Sequence, residues 1–482
     1  MAALDSLRGR LAELADLGSL ARLAGWDQRT MMPPAGGTAR AYQMAAISRL
    51  AHDRGTAEEI GAWLDAIDGD DLGDVDRDLV RVARRDWERE RRVPADLAAE
   101  RAQASAEGQA AWQSARAASD FAAFVPALRR NLELARAYAD CLDDGEHPYD
   151  ALLADYDWGL TASRIQEIFG PLAEALPPLV AAAAARPDPP ALEIPIKTQQ
   201  AAVRSTLARL GVDDERWRID VSPHPFSTSM SRDDLRVTTR YERPGAESLL
   251  AALHEFGHAL YEGQIAPELG RTNLGHGTSM SIHESQSKLW ENHVARNGAF
   301  APVLAAEVTA GGFPVEPDAL HAVMTHVRPS LIRVEADQVT YPLHIVLRFE
   351  LELALVEGSL DIADLPTAWN DGMRRLLGVE VPDDAVGVLQ DVHWGVGSFG
   401  YFPSYALGCL IAAQLWEQLE SELGSRDEAL AAADVGAIRD WLGEHIHRYG
   451  RRLDTEPLVQ QATSRGIDAA PFLRYAAQAH IR

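Results

Sequence analysis

The pentapeptide His254-Glu255-Phe256-Gly257-His258 constrains this chain more than any other stretch. It has the form H-E-x-x-H. On a helix, His254 and His258 sit one turn apart on one face, so both imidazoles can reach a single metal ion. Glu255 then lies beside them, placed to take a proton from a water at that metal. The pattern alone arises by chance in roughly a few chains per hundred of this length, but its surroundings add weight. Ala251, Ala252, Leu253, Phe256, Ala259, Leu260 and Tyr261 suit a largely apolar, buried helix, and no proline interrupts 247–264.

A catalytic zinc site commonly takes three protein ligands and keeps the fourth position for water or substrate. A third histidine in the continuation H-E-x-x-H-x-x-G-x-x-H is absent, since Gly263 and Gln264 occupy that stretch. The next informative segment is Ser281-Ile282-His283-Glu284-Ser285-Gln286, opening a second helical run. The residues between, 267–277, are rich in Gly, Pro and Asn and read as a loop. Helix, loop and returning helix can bring Glu284 to the open side of the histidines, so Glu284 is the expected third ligand. Glu262 and Glu268 are the alternatives, although Glu262 lies eight residues from His254, more than two turns along the axis.

H-E-F-G-H followed by H-E-S-Q resembles the carboxypeptidase Taq family of metallocarboxypeptidases. Further blocks occur in the family's order: His224-Pro225-Phe226; Asp234-Leu235-Arg236-Val237-Thr238; Ile332-Arg333-Val334-Glu335-Ala336-Asp337; and Gly387-Val388-Leu389-Gln390-Asp391-Val392-His393-Trp394. Residues 399–408 and Trp26-Asp27-Gln28 are also similar to it, so the likeness spans essentially the whole chain. It implies a mainly α, elongated helical peptidase with a deep active-site groove. It also implies one zinc per chain, with cobalt as an acceptable substitute, peptide substrates with a free C-terminal carboxylate, broad specificity and a homodimer.

Composition agrees. A length of 482 residues allows a large core, and no linker divides it. The expected organisation is a single bilobed domain over 1–482, with a helical N-terminal part at about 1–185 and a catalytic part at about 200–482. Arg186 to Pro195 reads as the connection. A net charge of −26 argues against a general nucleic-acid binder. Two cysteines, Cys141 and Cys409, form neither a disulfide framework nor a cysteine zinc site. No stretch approaches a transmembrane helix, and the N-terminus carries no apolar signal core, so the expected compartment is the cytoplasm.

Helical periodicity runs through 2–24, 40–52, 76–92, 95–117 and 121–142, then 316–357 and 404–423. The exception is 219–241, where Val237-Thr238-Thr239-Arg240-Tyr241 reads as a strand. A small sheet beside the metal helix could bind an extended peptide by strand addition at its edge.

The remaining roles follow from the chemistry and the family blocks. Glu255 is the general base. His393 and Tyr405 are candidate donors to the carbonyl oxygen as it gains charge, with Tyr401 as the alternative tyrosine. Recognition of a terminal carboxylate calls for an arginine fork. Arg333 is the first choice and Arg236 the second, and His224 joins them as a substrate-binding candidate from its block. The ligand histidines need acceptors behind them. Ser287 and Lys288 stand one turn beyond Glu284, so Asp337 or Asp391 is a candidate from elsewhere, with a structural carboxylate paired to a nearby arginine as the equal alternative for either. Two other readings remain: an endo-acting zinc oligopeptidase, and a non-catalytic helical binding protein stabilised by metal. The intact Glu255 argues against the second.

Overall fold

The computed structural model describes residues 2–67, 69, 72–142, 147–242 and 244–481. Helices dominate. The N-terminal part holds α1 (Ala2–Thr30), α2 (Gly37–Gly55), α3 (Glu58–Ala66), α4 (Asp74–Arg92), α5 (Ala95–Ala118), α6 (Phe121–Leu142), α7 (Pro148–Leu153) and α8 (Ala162–Ala184). A stretch without regular structure follows α8, where Arg186 to Pro195 carries its prolines. Next come α9 (Ile196–Arg209), the strands β1 (Trp217–Val221), β2 (Ser227–Ser231) and β3 (Asp234–Thr239), and α10 (Glu247–Gly263), which carries the H-E-x-x-H motif. The chain continues with α11 (Met280–Lys288), α12 (Ala301–Ala310), α13 (Pro317–Thr325), α14 (Tyr341–Glu357) and α15 (Leu365–Leu377). It ends with α16 (Pro403–Leu423), α17 (Asp427–Ala431), α18 (Gly436–His445), α19 (Thr455–Thr463) and α20 (Ala470–Ile481).

The mainly helical class with a small sheet beside the motif helix is as the sequence predicts. The single periodic run expected at 316–357 is two helices instead. Pro329 and the short turn at Arg333–Glu335 separate α13 from α14. The expected strand at 237–241 is the end of β3, which stops at Thr239.

The sheet has the order β1-β3-β2. β1 runs parallel to β3, and β2 pairs antiparallel with it, Ser227 opposite Val237 and Ser229 opposite Leu235. Both β2 and β3 pack on α10. The main apolar core extends from Ala115 in α5 to Ala476 in α20. A separate small core joins α1, α3 and α4 through Leu7, Leu11, Ile60, Leu64, Leu79 and Val82, and packs on Ile265, Leu269 and Leu274 after the motif helix. The first helices are thereby fastened to the loop between α10 and α11.

Phe256, inside the motif, is fully buried. It stacks on Trp217 of β1 with ring centroids 5.5 Å apart and meets Trp290 edge-on at 4.8 Å. Burying a side chain of this kind stabilises by about 1.5–3 kcal/mol. Here it ties the sheet, the motif helix and the chain beyond α11 into one unit.

Candidate active site

α10 and α11 cross at the motif. A Cβ on Gly257 would stand 2.4 Å from the backbone oxygen of Gln286, so only glycine lets the two helices approach this closely. On the other side of α11, a Cβ on Gly408 of α16 would stand 2.4 Å from Glu284 Cγ. Glu284 is thus held between two glycine faces. The wholly buried Asp157 joins the starts of three helices: it accepts from Ser281 of α11, from Ser404 of α16 at 2.6 Å and from Thr455 of α19 at 3.2 Å. This carboxylate fixes α11, which bears Glu284, relative to α16, which bears Tyr405.

Glu284 Oε2 lies 3.7 Å from His254 Nε2 and 3.5 Å from His258 Nε2. The ligand atoms of the three residues all fall within 4.8 Å of one another. A tetrahedron with zinc–ligand arms of about 2.0–2.2 Å has edges of about 3.3–3.6 Å. Two imidazole nitrogens and one carboxylate oxygen at this spacing fit a catalytic zinc. Burial pushes the Glu284 carboxyl up, but His254, the His258 hydrogen bond and Lys288 outweigh it and hold it down at about 2.

Each of the two histidines is oriented from behind. His254 Nδ1 lies 2.9 Å from Glu291 Oε2. Burial raises Glu291, yet Lys288, the His254 hydrogen bond and Arg296 keep it well below the usual carboxylate range. An ionised Glu291 only accepts, so His254 Nδ1 donates and its Nε2 lone pair is left for the metal. His258 Nδ1 lies 2.9 Å from His283 Nδ1, and His283 Nε2 lies 2.9 Å from Glu262 Oε1. Glu262 also meets His276 Nδ1 at 3.1 Å and accepts from the Gly277 N–H at 2.9 Å.

These partners correct the expectation that Asp337 or Asp391 would do this work. Asp337 caps the turn before α14, accepting from the N–H groups of Val339 at 2.8 Å and Thr340 at 3.0 Å. Asp391 is bound by two arginines. Of the alternative ligands, Glu262 belongs to the relay behind His258, and Glu268 is exposed in a short turn.

Glu255 is buried beside the ligands. Burial, opposed by His254 and aided by the charge of Glu284, raises its carboxyl to about 7, and the nearby Ser227 side chain of β2 draws it down slightly.

The structure gathers His393, Tyr401, Tyr405 and Arg333 into one cluster. The rings of Tyr401 and Tyr405 meet edge-on at 5.0 Å, and His393 lies 5.4 and 6.2 Å from them. Burial lowers His393 to about 4, with Asp391 opposing, so its ring is neutral at pH 7. Arg333 stands over the Tyr405 ring at 4.9 Å. Its Nε and Nη2 donate to Asp391 Oδ1 at 3.1 and 2.8 Å, and its Nη1 to the Tyr341 hydroxyl at 3.3 Å. Arg348 holds the other oxygen of Asp391 at 2.7 Å. Two guanidinium groups on one carboxylate leave one net positive charge in this cluster. Lys288 links it to the ligands: its Nζ lies 4.8 Å from the Tyr341 ring centre and 2.8 Å from Glu291.

Arg236 and His224 lie apart from this cluster. Arg236 forks onto Asp234 at 2.8 and 2.9 Å and stacks over Trp26 at 4.2 Å. It stands opposite Thr228, on the sheet face turned away from α10. His224 is exposed in the turn before β2. Sequence reasoning did not single out Glu291, Arg348, Tyr341 or Ser227. Of these, Glu291 alone left a trace, as a carboxylate on the same helical run as Glu284.

The chain is similar to known proteins along nearly its whole length. The family model described as carboxypeptidase Taq (M32) metallopeptidase matches residues 6–480. A thermostable carboxypeptidase 1 of Thermus thermophilus is 41% identical over 96% of this chain and 95% of its own length. Carboxypeptidase 1 of Bacillus subtilis is 35% identical over 93% of this chain and 92% of its own. Among solved structures, a Pyrococcus furiosus carboxypeptidase superimposes with a TM-score of 0.96 at 32% identity, covering 99% of both chains. An M32 carboxypeptidase from Deinococcus radiodurans does so at 0.94 and 34%, covering 100% of both.

Proposed function

The chain belongs to the carboxypeptidase Taq (M32) family of metallopeptidases, and from that premise we propose that it removes the C-terminal residue of peptides using zinc held by His254, His258 and Glu284. The observation that carries this reading is the convergence of those three ligand atoms beside a buried Glu255, with a cationic cluster next to them. When bound, zinc supplies Lewis acidity to the scissile carbonyl and to water.

The chain's own residues do the rest. Glu255 takes the proton from the attacking water and returns it to the leaving amine. A carboxyl raised to about 7 suits both halves of that task near neutral pH. The hydroxyls of Tyr405 or Tyr401 and the neutral imidazole of His393 donate to the carbonyl oxygen as it becomes an oxyanion. Arg333, whose charge Asp391 shares with Arg348, attracts the terminal carboxylate. The edge strand β2, whose Ser227 lies near Glu255, pairs with the substrate backbone.

In this reading the whole chain is one bilobed catalytic domain of broad specificity, acting in the cytoplasm as a homodimer. Exposed apolar side chains on α1 and α2, among them Leu20, Leu23, Tyr42 and Leu50, support the association. No described helix is long and apolar enough to cross a membrane.

The test is to incubate the zinc-loaded protein with matched peptides ending in a free carboxylate or an amide. Stepwise release of C-terminal residues from the acids, with much slower attack on the amides, is expected. Internal cleavage of both at equal rates would make the protein an endopeptidase. No cleavage of either would overturn a catalytic role.

A further inference from the structure

The outer edge of β2 is partly covered by α1. In the pairing with β3, Thr238 N donates to Phe226 O at 2.9 Å, so Phe226 and Thr228 turn their backbone groups inward. By the alternation of an antiparallel ladder, Ser227 and Ser229 turn theirs outward. Arg22 Nε of α1 donates to Ser229 O at 2.8 Å, and Ser19 Oγ donates to the next carbonyl, Met230 O, at 2.9 Å. Arg22 is braced by Ser19, its Nη2 donating to the Ser19 hydroxyl at 2.9 Å. Among the described residues no side chain covers Ser227 in this way.

The direction of a bound peptide follows from the two ends of the site. Ser227 lies by Glu255, and Ser229 Oγ lies 3.1 Å from Glu262, so β2 runs alongside α10 in the same sense. The cationic cluster connects to the site through His254, at the end of the motif away from Glu262. Arg333 touches Tyr341, Lys288 sits over Tyr341, Lys288 bonds Glu291, and Glu291 bonds His254. A peptide with its terminal carboxylate at Arg333 and its scissile carbonyl at the ligands must send its N-terminal portion from Ser227 toward Ser229. That is the antiparallel sense, and it leads straight to Arg22.

We propose that α1 is a stop for strand addition: Arg22 occupies the outward carbonyl of Ser229 and Ser19 that of Met230, which the irregular pairing between Ser229 and Ser231 frees from β3, so a substrate pairs its backbone with Ser227 only. This rests on the carboxypeptidase reading with Arg333 at the terminal carboxylate. Backbone recognition upstream of the scissile bond is then confined to the residue opposite Ser227. Residues further upstream leave the strand and contribute nothing through the backbone. Arg22 is a specificity-determining residue, and its removal opens a further pairing position at Ser229.

The experiment is a chain-length series of N-blocked free-acid peptides sharing their last three residues, with kcat/KM measured for each length. For the zinc-loaded wild type, kcat/KM should level off once the residue opposite Ser227 is present. Arg22→Ala should extend the rise by about fivefold or more for peptides reaching Ser229, through KM, because two more backbone hydrogen bonds become available. Arg22→Lys retains a donor and should restore the plateau. Ser19→Ala, a smaller change, should extend the rise more weakly if Arg22→Ala proves unstable. A wild-type profile that keeps climbing over several upstream residues would overturn the proposal. So would an Arg22→Ala effect equal at all lengths with a lowered Tm, which is simple loss of packing. Equal cleavage of acids and amides would instead sink the underlying carboxypeptidase reading, and this inference with it.

Discussion

Gly257 lies against the backbone of Gln286 so closely that an added Cβ would stand 2.4 Å from its carbonyl oxygen. The obstacle is backbone, which cannot rotate aside. Gly257→Ala must therefore push α11 outward, carrying Glu284 away from His254 and His258. Zinc affinity should fall by at least about tenfold, the scale of a lost ligand contact, and Tm should fall as the Phe256 packing loosens. Competitive chelator titration and thermal unfolding measure the two. Wild-type values in both would mean that the helices can separate without moving the ligand.

The 2.9 Å contact between His254 Nδ1 and Glu291 predicts a milder change. Glu291→Gln keeps the shape of the acceptor but removes the charge that fixes the imidazole's tautomer and is shared with Lys288 and Arg296. Metal affinity should drop about 10–100-fold while circular dichroism stays that of a helical protein. Undiminished affinity would leave Glu291 a structural ion-pair partner only.

Glu291 is not legible from local pattern. It lies seven residues beyond Glu284, and Leu289–Ala295 is wound as a π-helix, so α-helical phase does not place it. The second histidine uses another imidazole, His283, as its partner, and a search for carboxylates alone passes over it. The convergence of His254, His258 and Glu284 was legible because H-E-x-x-H at helical spacing already states its geometry, and one loop and one returning helix sufficed for Glu284. Asp391 was legible as an acceptor for a histidine or as the partner of a nearby arginine, but not as shared between Arg333 and Arg348, since Arg348 sits on another helix. The docking of α1 on β2 joins residues 211 and 207 apart, a pairing that no local pattern encodes.

Glu255→Gln should bind zinc as tightly as the wild type and lose about 10²–10⁴-fold in kcat, the usual contribution of general-base catalysis. Metal analysis and turnover on one free-acid peptide suffice. Near-normal turnover with metal bound would require another group to activate the water.

Glu352 makes stability depend on pH. It is wholly buried and accepts from the Tyr149 hydroxyl at 2.7 Å, Trp394 Nε1 at 2.8 Å and the Gly400 N–H at 3.1 Å. Burial wins over these bonds and raises its carboxyl from 4.5 to about 7. Between those values the folded protein holds a proton that the unfolded chain releases. The contribution is therefore complete below 4.5 and is lost as pH rises through 7, amounting to about 3 kcal/mol. Denaturant unfolding of the zinc-loaded protein at several pH values from 5 to 8 should show a decline that Glu352→Gln flattens. An identical slope in the two proteins would assign the decline to other groups.

Arg333 is nearly fully buried, and Asp391 takes two of its N–H groups. Arg348 engages the other Asp391 oxygen, so the charge on Arg333 is only partly cancelled and an incoming carboxylate would complete the pairing. A charge-assisted contact of this kind is worth about 1.5–3 kcal/mol, or roughly ten- to hundredfold in kcat/KM. Arg333→Ala should show that loss on peptides ending in a free carboxylate and much less on amides, which do not offer the charge. Arg348 keeps Asp391 paired in the variant, so the fold should survive. Equal losses on acids and amides would mean that Arg333 supports the Tyr405 ring and the carbonyl oxygen rather than the substrate terminus. No loss on either would return the search to other cations near the cluster, Arg348 first.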